Sequence, residues 1–281
     1  MAVARRVGGW IGRLFGQSGA AADACPTTGP ASHDAEPIQP EDVGATGRTG
    51  KLALVPRWLA ALRTQVFTGL AAIGLLLFGG LTALVTGGLT ADLDLAATQA
   101  IQGVMVPWLG PLMLAVSAFG FLPQSALIVA VVAMLLWRSG YRTESRFALL
   151  ASASVLLTET IKALIGRPRP DAEMVTVIQT LGGHSFPSGH TLFYVTFFGF
   201  LAYLAYAHLK PGRVRMAVLW LTGLLILLVG PSRVWMGQHW ASDVLASYAL
   251  GLTLLVVLVQ WYGRRRLAVP AISAPGEPII A

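Results

Sequence analysis

Runs of apolar residues separated by short polar segments fill the chain from residue 66 to residue 262. The first run, residues 66–85, holds no charged residue and is long enough to cross about 30 Å of bilayer hydrocarbon as a helix. Similar runs recur downstream, so we predict an all-α, polytopic membrane protein with six transmembrane helices. The predicted spans are Val66–Val85, Ser125–Trp137, Phe147–Ile165, Leu192–His208, Val214–Gly230 and Trp240–Tyr262.

The segment Val104–Leu122 is apolar enough to span, but it contains Pro107 and Pro111 and is joined to the next run only by Pro123-Gln124. If it crossed, the three arginines of residues 138–146 would lie outside, and every later loop would violate the positive-inside rule. We therefore predict a short interfacial or re-entrant helix here.

Composition supports a membrane protein and argues against nucleic acid. Hydrophobic residues make up 55% of the 281 residues and charged residues 12%, which exceeds what a soluble core needs. The net charge is +7, but the basic residues lie at the ends of apolar runs, so we expect no nucleic-acid partner. The single cysteine, Cys25, cannot form an internal disulfide, and no Cys/His cluster has zinc spacing. We expect no metal and no cofactor.

The charge pattern also predicts the domain organisation and the sidedness. Residues 1–55 are rich in small and polar residues, which is typical of a disordered tail, and the basic residues before the first span place this tail in the cytoplasm. Residues 56–265 form the predicted six-helix membrane domain, and residues 266–281 a flexible tail that is also cytoplasmic. We expect an inner-membrane protein whose polar clusters face the extracytoplasmic side.

Three polar clusters lie at the outer ends of apolar runs, where unpaired charge is costly unless it meets a ligand or a partner. Three of their cations, Lys162, Arg169 and Arg233, together with two histidines and a carboxylate, predict a phosphate site in such a setting. The clusters comprise Lys162 with Arg167 and Arg169, then Ser188, Gly189 and His190, then Ser232, Arg233, His239 and Asp243.

In the first cluster, Pro168 ends a helix and lets Lys162 and Arg169 fold back towards one point. Glu159 precedes Lys162 by three residues, a spacing that predicts contact on a helix. Arg167 fits contact with lipid headgroups as well as a place in the site.

In the second cluster, Ser188 fits a helix N-cap, and Gly189 allows backbone N–H groups to approach an anion closely. His190 then lies over the same spot, whereas His184 fits a solvated loop.

In the third cluster, His239 and Asp243 share a helix face if a helix begins by His239. A carboxylate that accepts the Nδ1–H of an imidazole leaves Nε2 with a free lone pair, which makes an oriented nucleophile. An isolated His/Asp pair is more often structural, but here Arg233 accompanies it.

Lys-x6-Arg-Pro, Pro-Ser-Gly-His and Ser-Arg-x5-His-x3-Asp, in this order, resemble the three signature motifs of the type 2 phosphatidic acid phosphatase family, over roughly residues 66 to 262. The resemblance implies a phosphohistidine formed on His239, which Asp243 orients, and a leaving oxygen protonated by His190. It also implies that the phosphoryl oxygens are held by Lys162, Arg169, Ser188, Gly189 and Arg233, without a metal.

The expected function is therefore hydrolysis of a lipid phosphate or diphosphate, such as phosphatidic acid, phosphatidylglycerol phosphate or a prenyl diphosphate, by an enzyme in contact with membrane lipids. Nearby cations favour neutral histidines, which suits His239 but weakens the hold of His190 on a proton, so we expect activity to fall at both low and high pH. Two alternatives use the same residues: a non-enzymatic transporter or flippase that binds lipid headgroups, and a vanadate-dependent haloperoxidase. Polar groups at one face argue against the first, and six spans against the second.

Overall fold

A computed structural model describes residues 57–267, and every element in that range is helical. The predicted tail of residues 1–55 and residues 268–281 of the predicted C-terminal tail lie outside the described residues. The helices are α1 Arg57–Thr86, α2 Ala91–Gln102, α3 Leu109–Ala118, α4 Gln124–Arg138, α5 Arg142–Ala153, α6 Val155–Ile165, α7 Gly189–Phe193, a π-helical turn Tyr194–Phe198, α8 Gly199–His208, α9 Arg213–Trp235 and α10 Ala241–Leu267.

Five helical segments within residues 57–267 are long and apolar enough to cross a membrane, and they contain or nearly contain five of the six predicted spans. The remaining predicted span, Ser125–Trp137, lies in α4, whose 15 residues reach only about 22 Å at 1.5 Å per residue. The prediction of a multi-pass helical membrane protein is confirmed, whereas the count of six stays a prediction. The five segments are Thr64–Thr86, Arg142–Ile165, Gly189–His208, Arg213–Trp235 and Ala241–Arg266.

The outward faces of the outer helices carry large apolar side chains. Leu76 on α1 is 75% exposed and Leu164 on α6 is 78% exposed. Apolar surface on this scale is a liability in water, and it is the surface that lipid tails cover in a bilayer.

The centre of the bundle is formed by α7, the π-helical turn, α8 and α10. Phe193 and Phe197 stack with their ring centroids 5.2 Å apart inside the main apolar cluster. Tyr194 is fully buried, and its hydroxyl donates to the Val116 carbonyl of α3. This bond ties α3, from the segment predicted to be interfacial or re-entrant, to the core.

The two ends of the bundle differ in their chemistry. At one end the Glu144 carboxylate of α5 accepts from the Tyr262 hydroxyl at 2.7 Å and contacts Arg266, and Tyr262 lies 2.9 Å from His208 Nε2. We call this the arginine end, because the basic residues that flank the α4–α5 and α8–α9 connections and those at the end of α10 lie there. The opposite end, which we call the site end, is defined by residues 86–102, 165–190 and 233–243.

A glycine contact between α1 and α10 gives a test of the packing. A Cβ at Gly74 would lie 2.1 Å from Thr253 Oγ1 and 3.1 Å from the Ala249 carbonyl oxygen, whereas a Cβ at Gly79 would meet nothing within 4 Å. Because close helix approach depends on such small residues, we expect Gly74→Leu to destabilise the fold by about 1–3 kcal/mol.

Thermal unfolding of both variants in one detergent measures this effect. Gly79→Leu on the same helix is the control and should unfold as the wild type does. Equal midpoints for the two variants would show that α1 does not pack on α10 at Gly74.

Candidate active site

A cavity of about 760 Å³ opens at the site end, and six of the eight predicted site residues line it. Its remaining walls come from the α3–α4 connection, α4, α5 and α6, and they are mostly apolar. The six are Lys162, Arg169, Gly189, His190, Arg233 and His239. Ser188 and Asp243 lie behind the cavity wall.

The end of α6 places the first pair of cations. Gly166 ends the helix in the left-handed conformation at φ 66°, which glycine adopts without steric cost, and its N–H caps the Lys162 carbonyl. The Lys162 ammonium lies 2.7 Å from Glu159 Oε1, so the predicted contact is confirmed. Beyond the turn, Arg169 donates to the Gln238 carbonyl at 2.7 Å, which holds its guanidinium near His239.

The start of α7 places His190. Ser188 is the N-cap, as predicted, and its hydroxyl accepts from the Thr191 N–H at 3.4 Å and from the Thr191 hydroxyl at 3.1 Å. The Ser188 hydroxyl therefore serves the helix end rather than the cavity. A Cβ at Gly189 would lie 3.3 Å from Thr158 Oγ1 and 3.9 Å from Lys162 Nζ, so α6 and the Lys162 ammonium pack directly against the start of α7.

Arg233 is fully buried and only partly paired. Its Nη1 donates to the Ser117 hydroxyl at 2.5 Å, and its guanidinium carbon lies 5.0 Å from the centre of the Phe121 ring, which also contacts His190 edge-on at 4.5 Å. Among the described atoms, Arg233 Nε and Nη2 and His190 Nε2 are buried without a hydrogen-bond partner. Three unpaired polar atoms thus lie beside two further cations, an arrangement whose hydrogen-bonding needs match the lone pairs of an oxyanion.

His239 lies just before α10, which begins at Ala241, so the condition for a helix face shared with Asp243 is not met. Two acceptors face the ring: Nδ1 lies 2.7 Å from the Ser185 carbonyl oxygen, its nearer partner, and 3.6 Å from Asp243 Oδ2. Because a carbonyl only accepts, Nδ1 carries the proton and Nε2 keeps its lone pair, 3.4 Å from Arg169 Nη1.

Asp243 has two other partners. Its Oδ2 accepts from the Trp240 N–H at 2.9 Å, which caps the start of α10, and its Oδ1 accepts from Arg167 Nη1 at 2.5 Å. Arg167 also donates to Asp94 Oδ2 at 2.6 Å and to the Ser242 hydroxyl at 2.7 Å. Arg167 thus lies behind the site. Its guanidinium is paired with buried side chains, so it does not contact lipid headgroups, which was one of its two predicted roles.

Sequence reasoning missed four residues that shape the site. Asp94 and Ser117 hold Arg167 and Arg233 from positions 73 and 116 residues earlier. Phe121 and the Ser185 carbonyl contact His190 and His239. The sequence shows Asp94 two residues after Asp92, but it indicates neither which of the two is buried nor which residue it pairs with.

Burial dominates the electrostatics of the nucleophile candidate. It lowers the pKa of His239 from 6.5 to about 4, and the Arg233 and Arg169 cations act in the same direction, while Asp243 opposes them. Burial also lowers the pKa of the Arg169 guanidinium, against the pull of Asp243 and Glu159. The His239 ring is therefore neutral at physiological pH, as a nucleophile must be.

Comparison with known proteins gives consistent matches. Residues 144–267, which include all three polar clusters, match the PAP2 superfamily. Phosphatidylglycerophosphatase B of Bacillus subtilis (strain 168) is 30% identical over 177 residues, covering 61% of this chain and 84% of that protein. The putative undecaprenyl-diphosphatase YbjG of Escherichia coli (strain K12) is 27% identical over 131 residues, covering 44% of this chain and 62% of that protein. The crystal structure of a transmembrane PAP2-type phosphatidylglycerolphosphate phosphatase from Bacillus subtilis has a TM-score of 0.61 at 26% identity, covering 69% of this chain and 96% of that chain.

The lowered pKa of His239 predicts a pH-dependent stability. The folded state binds a proton at His239 only near pH 4, whereas the unfolded chain binds one near pH 6.5. The contribution of the neutral ring to the free energy of unfolding is therefore complete above pH 6.5. It is lost as the pH falls towards 4, and the free energy of unfolding then decreases by up to about 1.4 kcal/mol per pH unit.

Unfolding of the wild type and of His239→Gln between pH 7 and pH 4.5, in one detergent, tests this sign. We expect the variant to lose less stability on acidification, while His184→Gln, which changes an exposed histidine, keeps the wild-type slope. Parallel curves for wild type and His239→Gln would contradict the lowered pKa.

Proposed function

The chain belongs to the PAP2 superfamily, and from this premise we propose that it hydrolyses a lipid phosphate or diphosphate at the cavity that holds His239, through a phosphohistidine intermediate. The relatives named above act, by their names, on phosphatidylglycerophosphate and on undecaprenyl diphosphate. Phosphatidic acid, phosphatidylglycerol phosphate and prenyl diphosphates are the substrates that we propose for this chain.

One observation supports the proposal of a lipid substrate: the cationic cluster and an apolar wall belong to the same cavity. The wall is formed by side chains that continue away from Lys162 and His190 along α4, α5 and α6, so a phosphate held by the cations leaves its hydrocarbon chain against them. The apolar wall comprises Phe121, Leu122, Ala126, Val129, Ala130, Leu149 and Val155.

In the proposed reaction, the Nε2 lone pair of His239 attacks phosphorus, a P–N bond forms, and the P–O bond to the lipid breaks. His190 gives its proton to the leaving oxygen, then takes one from the water that cleaves the P–N bond and releases phosphate. Negative charge spreads over three equatorial oxygens, and Arg233, Arg169 and Lys162 supply the fixed N–H donors for it.

The positions of α3 and α4 support six crossings and a re-entrant segment. Ser125, near the start of α4, lines the cavity, and Tyr141, just after its end, contacts His208 at the arginine end, so α4 connects the two ends. By contrast, Gly110 lies against Trp235 and Ser117 against Arg233, so α3 begins and ends at the site end. We propose that α4 crosses and that residues 104–122 enter and leave on one side.

The positive-inside rule then gives the sidedness. The arginine end faces the cytoplasm, with both termini of the chain, and the site end is extracytoplasmic.

Phosphate release tests the proposed function. Purified full-length protein in detergent should release phosphate from dioleoyl phosphatidic acid or from an undecaprenyl diphosphate, with or without EDTA. His239→Ala should lower kcat by at least about 10⁴-fold, because the nucleophile is gone. His184→Ala, in an exposed loop position, should be unchanged. Equal release by wild type and His239→Ala would refute the mechanism, and lipid phosphate binding without any release would favour a transporter.

Cysteine labelling tests the sidedness. In a Cys25→Ser background, Glu173→Cys on the exposed surface of the site end should react with an impermeant maleimide in sealed right-side-out vesicles. Ser139→Cys, between α4 and α5, should react only after the vesicles are opened. The reverse pattern would place the site in the cytoplasm.

A further inference from the structure

A buried cluster of two carboxylates and one guanidinium lies behind His239 and outside the cavity lining. Arg167 Nη1 donates to Asp243 Oδ1 at 2.5 Å, and Nη2 donates to Asp94 Oδ2 at 2.6 Å. The exposed fractions of the three side chains are 11% for Arg167, 0% for Asp243 and 3% for Asp94. Charges at this depth are stable only when they are paired, so the three groups hold one another in place.

Asp94 ties this cluster to the start of α10. Its Oδ1 accepts from the Ser242 N–H at 2.8 Å, and its Oδ2 accepts from the Ser242 hydroxyl at 2.7 Å. Burial alone raises the pKa of Asp94, but the bonds from Ser242 and Arg167 together outweigh it and lower the pKa, so the group stays ionised. An ionised carboxylate here also stabilises the positive N-terminus of the helix.

Arg167 fixes both acceptors that face His239 Nδ1. Its side chain holds Asp243, whose second oxygen lies 3.6 Å from Nδ1. Its backbone carbonyl accepts from the Ser185 N–H at 2.9 Å, and the Ser185 carbonyl oxygen lies 2.7 Å from Nδ1. The orientation of the His239 ring therefore depends on one residue that does not itself touch the cavity.

The fork shape of the guanidinium matters for this role. Two nitrogens on one rigid plane reach two carboxylates at the same time, whereas a lysine ammonium presents a single point of charge. A substitution that keeps the charge and removes the fork therefore separates positioning from charge balance.

We propose that Asp94 and Arg167 are positioning residues for His239: Asp94 anchors the Arg167 fork, the fork holds the Asp243 carboxylate that faces the ring, and the Arg167 backbone carbonyl holds the Ser185 segment whose carbonyl accepts from the ring. The inference rests on the proposed function, because its readout is the rate of phosphate release. Neither residue is among those that the motif resemblance assigns to the site.

Steady-state kinetics of the full-length protein on dioleoyl phosphatidic acid test the inference. We expect Asp94→Asn and Arg167→Lys each to lower kcat about 10- to 100-fold, the usual effect of losing a partner that orients a reacting group, with KM changed less than about threefold. Asp92→Asn, an exposed carboxylate on the same helix, is the matched control and should have the wild-type kcat. A general loss of structure would instead lower the active fraction and the unfolding midpoint together.

The double variant Asp94→Asn/Arg167→Lys should be no slower than Arg167→Lys alone, because both changes disrupt one orienting unit. Ser242→Ala removes a hydroxyl bonded to both Asp94 and Arg167, and it provides a milder variant, expected to lose kcat several-fold, if the others do not fold. Wild-type kcat in Arg167→Lys, or multiplicative effects in the double variant, would overturn the inference. If His239→Ala abolishes release while these variants do not lower it, the inference fails and the proposed function stands.

Discussion

The guanidinium of Arg233 is the constraint on which the site depends. It is fully buried at the end of an apolar helix, and among the described atoms it has one hydroxyl partner and two nitrogens without any. Burying such a charge is costly, and the neighbouring Arg169 and Lys162 add like charge rather than relief. The pocket therefore concentrates positive charge with unused N–H donors, which is the charge and hydrogen-bonding pattern that the proposed phosphate substrate matches.

The same residues end helices and shape the site. Gly166 ends α6, Ser188 begins α7 and Asp243 caps α10, and each lies within a few residues of a cavity-lining cation or histidine. Backbone groups at helix ends need partners, and they find them most readily where the chain leaves the hydrocarbon. Helix capping and the proposed anion binding both require polar groups at the helix ends. The polar clusters of the sequence therefore coincide both with the helix ends and with the cavity.

Contacts between residues close in sequence were predictable from their spacing, whereas contacts between distant residues were not. The contact of Glu159 with Lys162 and the cap by Ser188 depend on three-residue spacings that the sequence shows directly. Asp94 meets Ser242 across 148 residues, and nothing near either position indicates the other. His239 and Asp243 meet, with 3.6 Å between Nδ1 and Oδ2, but not on a shared helix face, because Asp243 caps α10, which starts at Ala241 and leaves His239 outside it. Helix α4 is predicted as a span from its apolarity, and because its 15 residues are fewer than a straight crossing needs, its crossing stays a proposal.

The two acceptors near His239 Nδ1 suit different stages of the proposed reaction. The Ser185 carbonyl, at 2.7 Å, fixes the tautomer of the resting ring without adding charge, and burial keeps that ring neutral, with its pKa near 4. Phosphorylation at Nε2 makes the ring cationic, and the carboxylate of Asp243, 3.6 Å from Nδ1, then gains attraction that the neutral ring did not offer. An interaction that strengthens as charge develops lowers the barrier rather than the energy of the resting state. In the proposed mechanism, Asp243 therefore favours formation of the intermediate, while the closer Ser185 carbonyl fixes the tautomer of the free histidine.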